Sequence, residues 1–511
     1  MDRMSQLRWV RPSTTQPGVA GFAAPPGTVP DHPFARMVQV TGLPQVPSQV
    51  ATTPADQAEF LLQVAAEVEH GLLVQYLYAA YSVDPVNDPV DPNTGHGWQD
   101  KLINIAVQEM VHLLNVQNML LALKRRPYFG RANFPPAPGK AAFYPFPFRF
   151  ERLSEQSLGK YVTTESAAEF FGGVDRSKLL PDQNTWLDRA IGSGKGAAGQ
   201  KINHVGVIYG MLYWMCQQDD TPVGPWLLPP EVFVPAGVPH LSQADFGDAN
   251  LFAREGPAVP FGGQPGPENP PPKKHDQQLH RIIWSVTNPE DARSAIAQIA
   301  EQGEGMQISD DSHFLEFLDL FGEFVTKADA GGPIPVLPVP TNPNTNTDPA
   351  TAEGRITHPG AAAWAKLFNA RYRILLTELA LALSELPGEN TGGKGLAARD
   401  LLVTRAINQD MLGRFGIKQL AKRLTKMPLK ADESGRAAPP FEMLETEPPS
   451  DPNGLRDLLV KLLADAATAV AGILALTGAD APSGLDPANL RKLKKSDDDY
   501  SADVALMKFT L

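Results

Sequence analysis

Two glutamates stand inside apolar helical runs of this chain, and a carboxylate on a buried stripe restricts what the chain can become. Glu69 lies in AAEVEHGLLVQYLYAAY, seven residues before Tyr76, and Glu109 lies in INIAVQEMVHLLNVQNMLLAL, three residues before His112. At about 100° per residue Glu69 shares a helix face with Leu62, Leu72, Leu73 and Tyr76, while Glu67 falls with Asp56 and Gln63 on the polar side. Glu69 is thus expected to point inward and Glu67 outward. Glu109 is flanked by Ile105, His112, Leu113 and Val116, again a core face. A desolvated carboxylate is costly unless paired, and a bound cation is one solution. Glu and neutral imidazole at i and i+3 can reach one ion from a single helix. A Glu–His hydrogen bond satisfied within the core is the plainer alternative.

Composition narrows the donor set. The 511 residues contain one cysteine, Cys216, which excludes an internal disulfide and a thiolate-built site. Any metal must therefore use carboxylates and imidazoles. The net charge of −12 argues against a general nucleic-acid binder, and only Arg491 to Lys495 is a basic stretch, followed at once by Asp497 to Asp499. The N-terminus lacks the apolar stretch of a signal peptide and no run reaches membrane-spanning length, so neither nucleic acid nor membrane is an expected partner and a cytoplasmic location is expected.

Prolines and glycines divide the chain. Residues 1–53 lack periodicity and read as an extended N-terminal arm. Helices are expected at 54–83, 98–125, 198–218, 289–303 and 311–327, making a metal-binding bundle over 54–330 with insertions at 126–197 and 219–288. The Pro- and Gly-rich excursion 219–277 is too long for a simple connection and suits a cover over a site. A Pro-rich linker, 331–356, leads to a C-terminal helical region, 357–511, with helices at 360–385, 397–426 and 453–477. There Asn369 and Tyr372 read as parts of a packed helix, and His358, Glu378 and Arg405 carry no functional expectation.

A third group of candidates lies in SAIAQIAEQGEGMQISDDSHFLEFLDLFGEF. Glu304 falls near the Ile296–Ile299 face while Glu301 turns toward solvent. Glycines 303 and 305 let the helix end there, and His313 opens the next one. Glu304 and His313 could complete a site, or they could be parts of a helix stop followed by a Ser312 cap.

Together, EVEHGLLVQYLYAAYS, EMVHLLNVQNML, EQGEG followed by SHF, and GRAAPPFE at 435–442 resemble the ferritin-like family of iminophenyl-pyruvate dimer synthase. Its relatives couple tryptophan-derived imines in violacein, rebeccamycin and staurosporine pathways. The resemblance implies an all-α fold, a ferritin-like four-helix bundle with long Pro/Gly-rich excursions and an added C-terminal helical region. It also implies Glu69, Glu109, His112, Glu304 and His313 as metal ligands. One departure is visible: the family often has a glutamate beside the Gly-x-x-Tyr that is Gly206 to Tyr209 here, where this chain has Val207. No acid occurs from Ile202 to Gln217, so His204 is a candidate replacement, and one iron, an asymmetric pair or another metal all stay open.

The expected function is a metal-dependent, non-haem iron oxidase acting on a small amino-acid-derived substrate such as an imine, with O2 or peroxide. Manganese and zinc also suit the donors. Tyr76 and His204 are the catalytic candidates, although Tyr76 also suits core packing against a ligand carboxylate. A homodimer is expected. An iron-handling or peroxide-consuming protein and a non-catalytic scaffold that keeps the bundle are the competing readings.

Overall fold

The computed structural model describes residues 3–10, 32–90, 95–135, 149–166, 176–195, 206–218, 227–234, 236–247, 283–303, 312–346, 354–384, 398–431, 435–477 and 487–507. In chain order its α-helices are α1 (Pro33–Thr41), α2 (Pro54–Ser82), α3 (Trp98–Ala122), α4 (Glu155–Thr164), α5 (Pro181–Lys195), α6 (Gly206–Cys216) and α7 (Pro230–Phe233). They continue as α8 (Pro289–Gln302), α9 (His313–Asp329), α10 (Pro359–Ser384), α11 (Ala398–Arg405), α12 (Ile417–Leu424), α13 (Pro452–Leu474) and α14 (Pro487–Ala505). Two three-residue strands, β1 (Arg8–Val10) and β2 (Leu43–Gln45), pair antiparallel. Among the described residues no helix is long and apolar enough to cross a membrane.

The long hairpin α2–α3 is the platform. Thr53 caps α2: its hydroxyl accepts from the Asp56 N–H while the Asp56 carboxylate accepts from the Thr53 N–H, and Pro54 fits the first turn. The two helices run antiparallel, since Arg125 at the end of α3 pairs with Asp56 at 2.8 Å and Gln99 at its start donates to the Ala80 carbonyl at 3.0 Å. At the start of α3 the capping side chain comes from a distance. Asp88 accepts from the Trp98 and Gln99 N–H groups at 2.8 and 3.0 Å, and it lies so close that a Cβ on Gly97 would stand 2.3 Å from its Oδ2.

A second helix pair, α4 and α9, lies across this hairpin, with α5 packed on both. Tyr76 from α2 sits between Tyr161 of α4 and Phe317 of α9, with ring centroids 4.9 and 4.8 Å away. Trp98 of α3 packs against Phe324 of α9 with the rings tilted and their centroids 5.5 Å apart, and donates from Nε1 to Glu323. Side chains of α2, α3, α4 and α9 thus meet in one buried layer. The helix expected at 198–218, described here as α6, is buried throughout and packs on α2 and α8. Both α4 and α5 fall within the stretch expected to be an insertion, 126–197.

The N-terminal arm is more than an extended strap. Its helix α1 presses Phe34, fully buried, onto α6 so closely that a Cβ at Gly210 would lie 1.8 Å from the ring. Near its start, the Arg3 and Met4 N–H groups each donate to the Glu67 carboxylate at 2.8 Å, and Tyr128 donates to the same group at 2.6 Å. Glu67, expected on the outer face, is 3% exposed. Helical periodicity assigned it to solvent because the arm that covers it is remote in sequence.

The described part of the Pro-rich linker, 331–346, is pinned to the bundle. Val336 bridges Val83, the Tyr78 hydroxyl donates to the Pro340 carbonyl, and Asn342 exchanges hydrogen bonds with the Phe150 backbone at 2.9 and 3.0 Å. Beyond it α10 packs on α13, and α13 on α14. The helix expected at 397–426 is broken into α11, a π-helical turn at Ala406–Met411 and α12. The turn aims Asp410 at Arg371, both fully buried and 2.8 Å apart, and Arg371 also binds Asp497. Burial and the Asp410 charge push the neighbouring Glu378 carboxyl well above the usual range.

Candidate metal centre

Five titratable side chains carried by α2, α3, α9 and the end of α4 converge inside the protein. Glu69 projects from α2, and Glu109 and His112 project from one face of α3. His313 occupies the first position of α9, set by the Ser312 cap, and Glu165 immediately follows the last turn of α4. All five are at most 3% exposed. They form two groups that share Glu109: Glu69, Glu109 and His112, and Glu109, Glu165 and His313. Within each, one donor atom per residue lies within 4.8 Å of the others.

The geometry around the two imidazoles is nearly a mirror image. His112 Nδ1 lies 3.0 Å from Glu109 Oε2 and 3.4 Å from Glu69 Oε2. His313 Nδ1 lies 2.9 Å from Glu109 Oε1 and 3.8 Å from Glu165 Oε2. The rings stack at 5.4 Å between centroids. Each outer carboxylate accepts from a tyrosine: Tyr76 donates to Glu165 and Tyr209, from α6, donates to Glu69.

Burial dominates the electrostatics. It and the Glu109 charge push Glu69 up to about 8, and the same two causes raise Glu165. Burial would also raise Glu109, but His313 and His112 override it and hold this carboxyl well below the usual range. For the imidazoles burial works against protonation. The carboxylates win, raising His112 to about 10 and His313 well above its ordinary value. Without an ion, then, protons neutralise the cluster.

The donor set fits a cation. His313 Nδ1 is buried, 2.9 Å from Glu109 and 3.8 Å from Glu165, and makes no hydrogen bond, so a buried donor atom is left for an ion to satisfy. At the cluster is a cavity of about 20 Å³, lined by Glu69, Glu109, His112 and Glu165 on one part and by Leu72 and Ile299 on another, room for a single water-sized species. Oxygen and imidazole donors without thiolate suit iron, manganese or zinc.

Of the residues singled out in the sequence, Glu69, Glu109, His112, His313 and Tyr76 are brought together. Glu304 and His204 lie outside the described residues, as does most of the excursion 219–277. The second half of the centre takes its carboxylate from Glu165, not from the acid-free helix that contains Val207. The signal for Glu165 was present: it stands four residues after Tyr161 and three after Val162, on the apolar face of a helix that is only ten residues long. Tyr209, Gln108 and Gln302 carried no comparable signal, because polar residues on apolar faces are often core residues satisfied locally. In sequence, Asp310 precedes His313 by three as Glu109 precedes His112, and Asp310 also lies outside the described residues.

Residues 62–218 match a family model described as ferritin-like. That span contains Glu69, Glu109, His112, Glu165 and Tyr209. The chain is also similar to the 2-imino-3-(indol-3-yl)propanoate dimerase of Chromobacterium violaceum, 31% identical over 174 residues, which is 27% of this chain and 17% of that relative. No solved structure matches the chain.

Proposed function

We propose, from the premise that this chain is built on a ferritin-like domain related to an imine dimerase, that it is a non-haem iron oxidase of a small amino-acid-derived substrate such as an imine. The observation that carries the reading is the shared position of Glu109 between two buried carboxylate–imidazole groups. Helical bundles hold paired metal ions with a Glu from each of two helices and a Glu-x-x-His pair from each of the other two; Glu69, Glu165 and the Glu109–His112 pair match three of these parts, and His313 supplies the imidazole of the fourth. Glu69 and His112 would hold one ion, Glu165 and His313 the other, with Glu109 between them. Iron bound there would supply one-electron oxidation driven by O2 or peroxide. The chain's own contribution is to bury the group away from water, to hold Glu165 and Glu69 in place through Tyr76 and Tyr209, and to supply one imidazole to each of the two carboxylate groups.

The name of the dimerase suggests a 2-imino acid bearing an aromatic side chain as the class to try first. A second reading, consumption of peroxide or handling of iron, is favoured by the small cavity at the cluster, which among the described residues is far too small for an indole imine. Elemental analysis should find about two iron ions per chain in purified protein, and far fewer in the Glu109→Ala/His112→Ala variant. Equal iron in both removes the site. Oxygen consumption that depends on an added aromatic 2-imino acid supports the oxidase. Consumption of peroxide without any organic substrate supports the second reading.

A further inference from the structure

The two imidazoles have a second feature in common, on the side away from the carboxylates. His112 Nε2 lies 2.6 Å from the amide oxygen of Gln302, at the end of α8, and His313 Nε2 lies 2.6 Å from the amide oxygen of Gln108, on α3. Gln108 is 1% exposed and Gln302 5%. An amide oxygen only accepts, so each ring must carry a proton on Nε2, and once the Nδ1 proton is displaced it is Nδ1 that is left for an ion. The two contacts also brace the bundle crosswise. A glutamine beside Glu109 on α3 orients the histidine of α9, and a glutamine of α8 orients the histidine of α3.

We propose that Gln108 and Gln302 are positioning residues of the metal centre, each fixing the tautomer and ring angle of one histidine so that Nδ1 is the ligating atom, with Gln302 serving the Glu69–His112 half and Gln108 the Glu165–His313 half. The proposal rests on the reading of the five residues as a metal centre. Histidine ligands generally donate their other ring N–H to an outer acceptor, and removal of that acceptor typically lowers metal affinity by roughly 10–100-fold. A neutral amide, unlike a carboxylate, fixes the ring without adding negative charge to a pocket that already holds three acids. The assignment predicts effects confined to one half of the centre, which a general packing role does not.

The test is titration of the metal-free full chain with cobalt(II), followed by visible absorption and by competition with a chelator, for the wild type, Gln302→Leu, Gln108→Leu, Gln302→Glu and Gln108→Glu. The wild type should take up two ions. Each Leu variant should keep one ion at wild-type affinity and bind the other roughly 10–100-fold more weakly, with an altered absorption band for that ion alone. Each Glu variant, which still accepts from Nε2–H, should restore tight binding. Unchanged affinity in both Leu variants overturns the proposal, because it means the amides face the other way and donate to Nε2. Equal loss of both ions in every variant, including Glu, also overturns it. A wild type that binds no cobalt, iron, manganese or zinc refutes the metal centre itself, an outcome separate from either of these.

Discussion

At the scale of the residue, the centre is a place where protons stand in for a cation. Glu69, raised to about 8, and His112, raised to about 10, both hold a proton at neutral pH when no ion is bound. A cation must displace them, so metal binding should release protons and should tighten as pH rises through about 8 and on toward about 10. Calorimetric titration in two buffers of different ionisation enthalpy measures the number released, and a value near zero contradicts this account. The same shifts act on the metal-free protein with the opposite sense. A group whose folded value is raised contributes stability below its unfolded value and loses it as pH climbs, so the His112 contribution should fade between about 6.5 and about 10. Glu69, Glu109 and His112 were legible in the sequence because helical periodicity alone placed acids among apolar side chains. Glu67 misled for the complementary reason: what buries it is the Arg3 and Met4 backbone, 64 and 63 residues away, and periodicity cannot see a distant partner.

At the scale of the element, the helices that read well are those that are long and carry local start signals. Thr53 with Asp56 before α2 and Ser312 before α9 are such signals, and the observed boundaries fall within two residues of those expected at both starts. The short helix α4 did not read, and with it Glu165 was missed. Its ten residues and the Pro- and aromatic-rich stretch before it gave too little periodic sequence to stand out. The start of α3 shows a cap that no local pattern contains, since Asp88 is ten residues before Trp98. Replacement Asp88→Ala should cost about 1 kcal/mol of stability through loss of that cap, measured as a lowered midpoint in urea. No change would mean that water satisfies those N–H groups equally well.

Across the whole molecule, the C-terminal region is held by buried charge as well as by apolar packing. Arg371 lies between Asp410 and Asp497, all three essentially inaccessible, and the π-helical turn is what brings Asp410 to it. Arg371→Met would leave Asp410 in the interior without its arginine, while Asp497 keeps Arg405 at 3.1 Å, and breaking such a buried pair typically costs about 3–5 kcal/mol. A urea titration followed by circular dichroism should find that loss, and a variant as stable as the wild type would show that the acids simply take up protons. The sequence gives no sign of this cluster, because its members lie 39 and 126 residues from Arg371. The all-helical class was legible throughout, since it rests on local periodicity. The routing of the 331–346 segment across the bundle was not, since it rests on backbone hydrogen bonds to Ser82 and Phe150.

The fastening of Arg3 and Met4 to Glu67 has a practical side. Glu67 lies two positions from Glu69 on the same helix, and its charge is met by backbone N–H groups that removal of Arg3 and Met4 would take away. Loss of those two residues would therefore be a wound to the interior and not a trimming of the edge. Its effect should be sought at the candidate centre, half a turn further along the same helix.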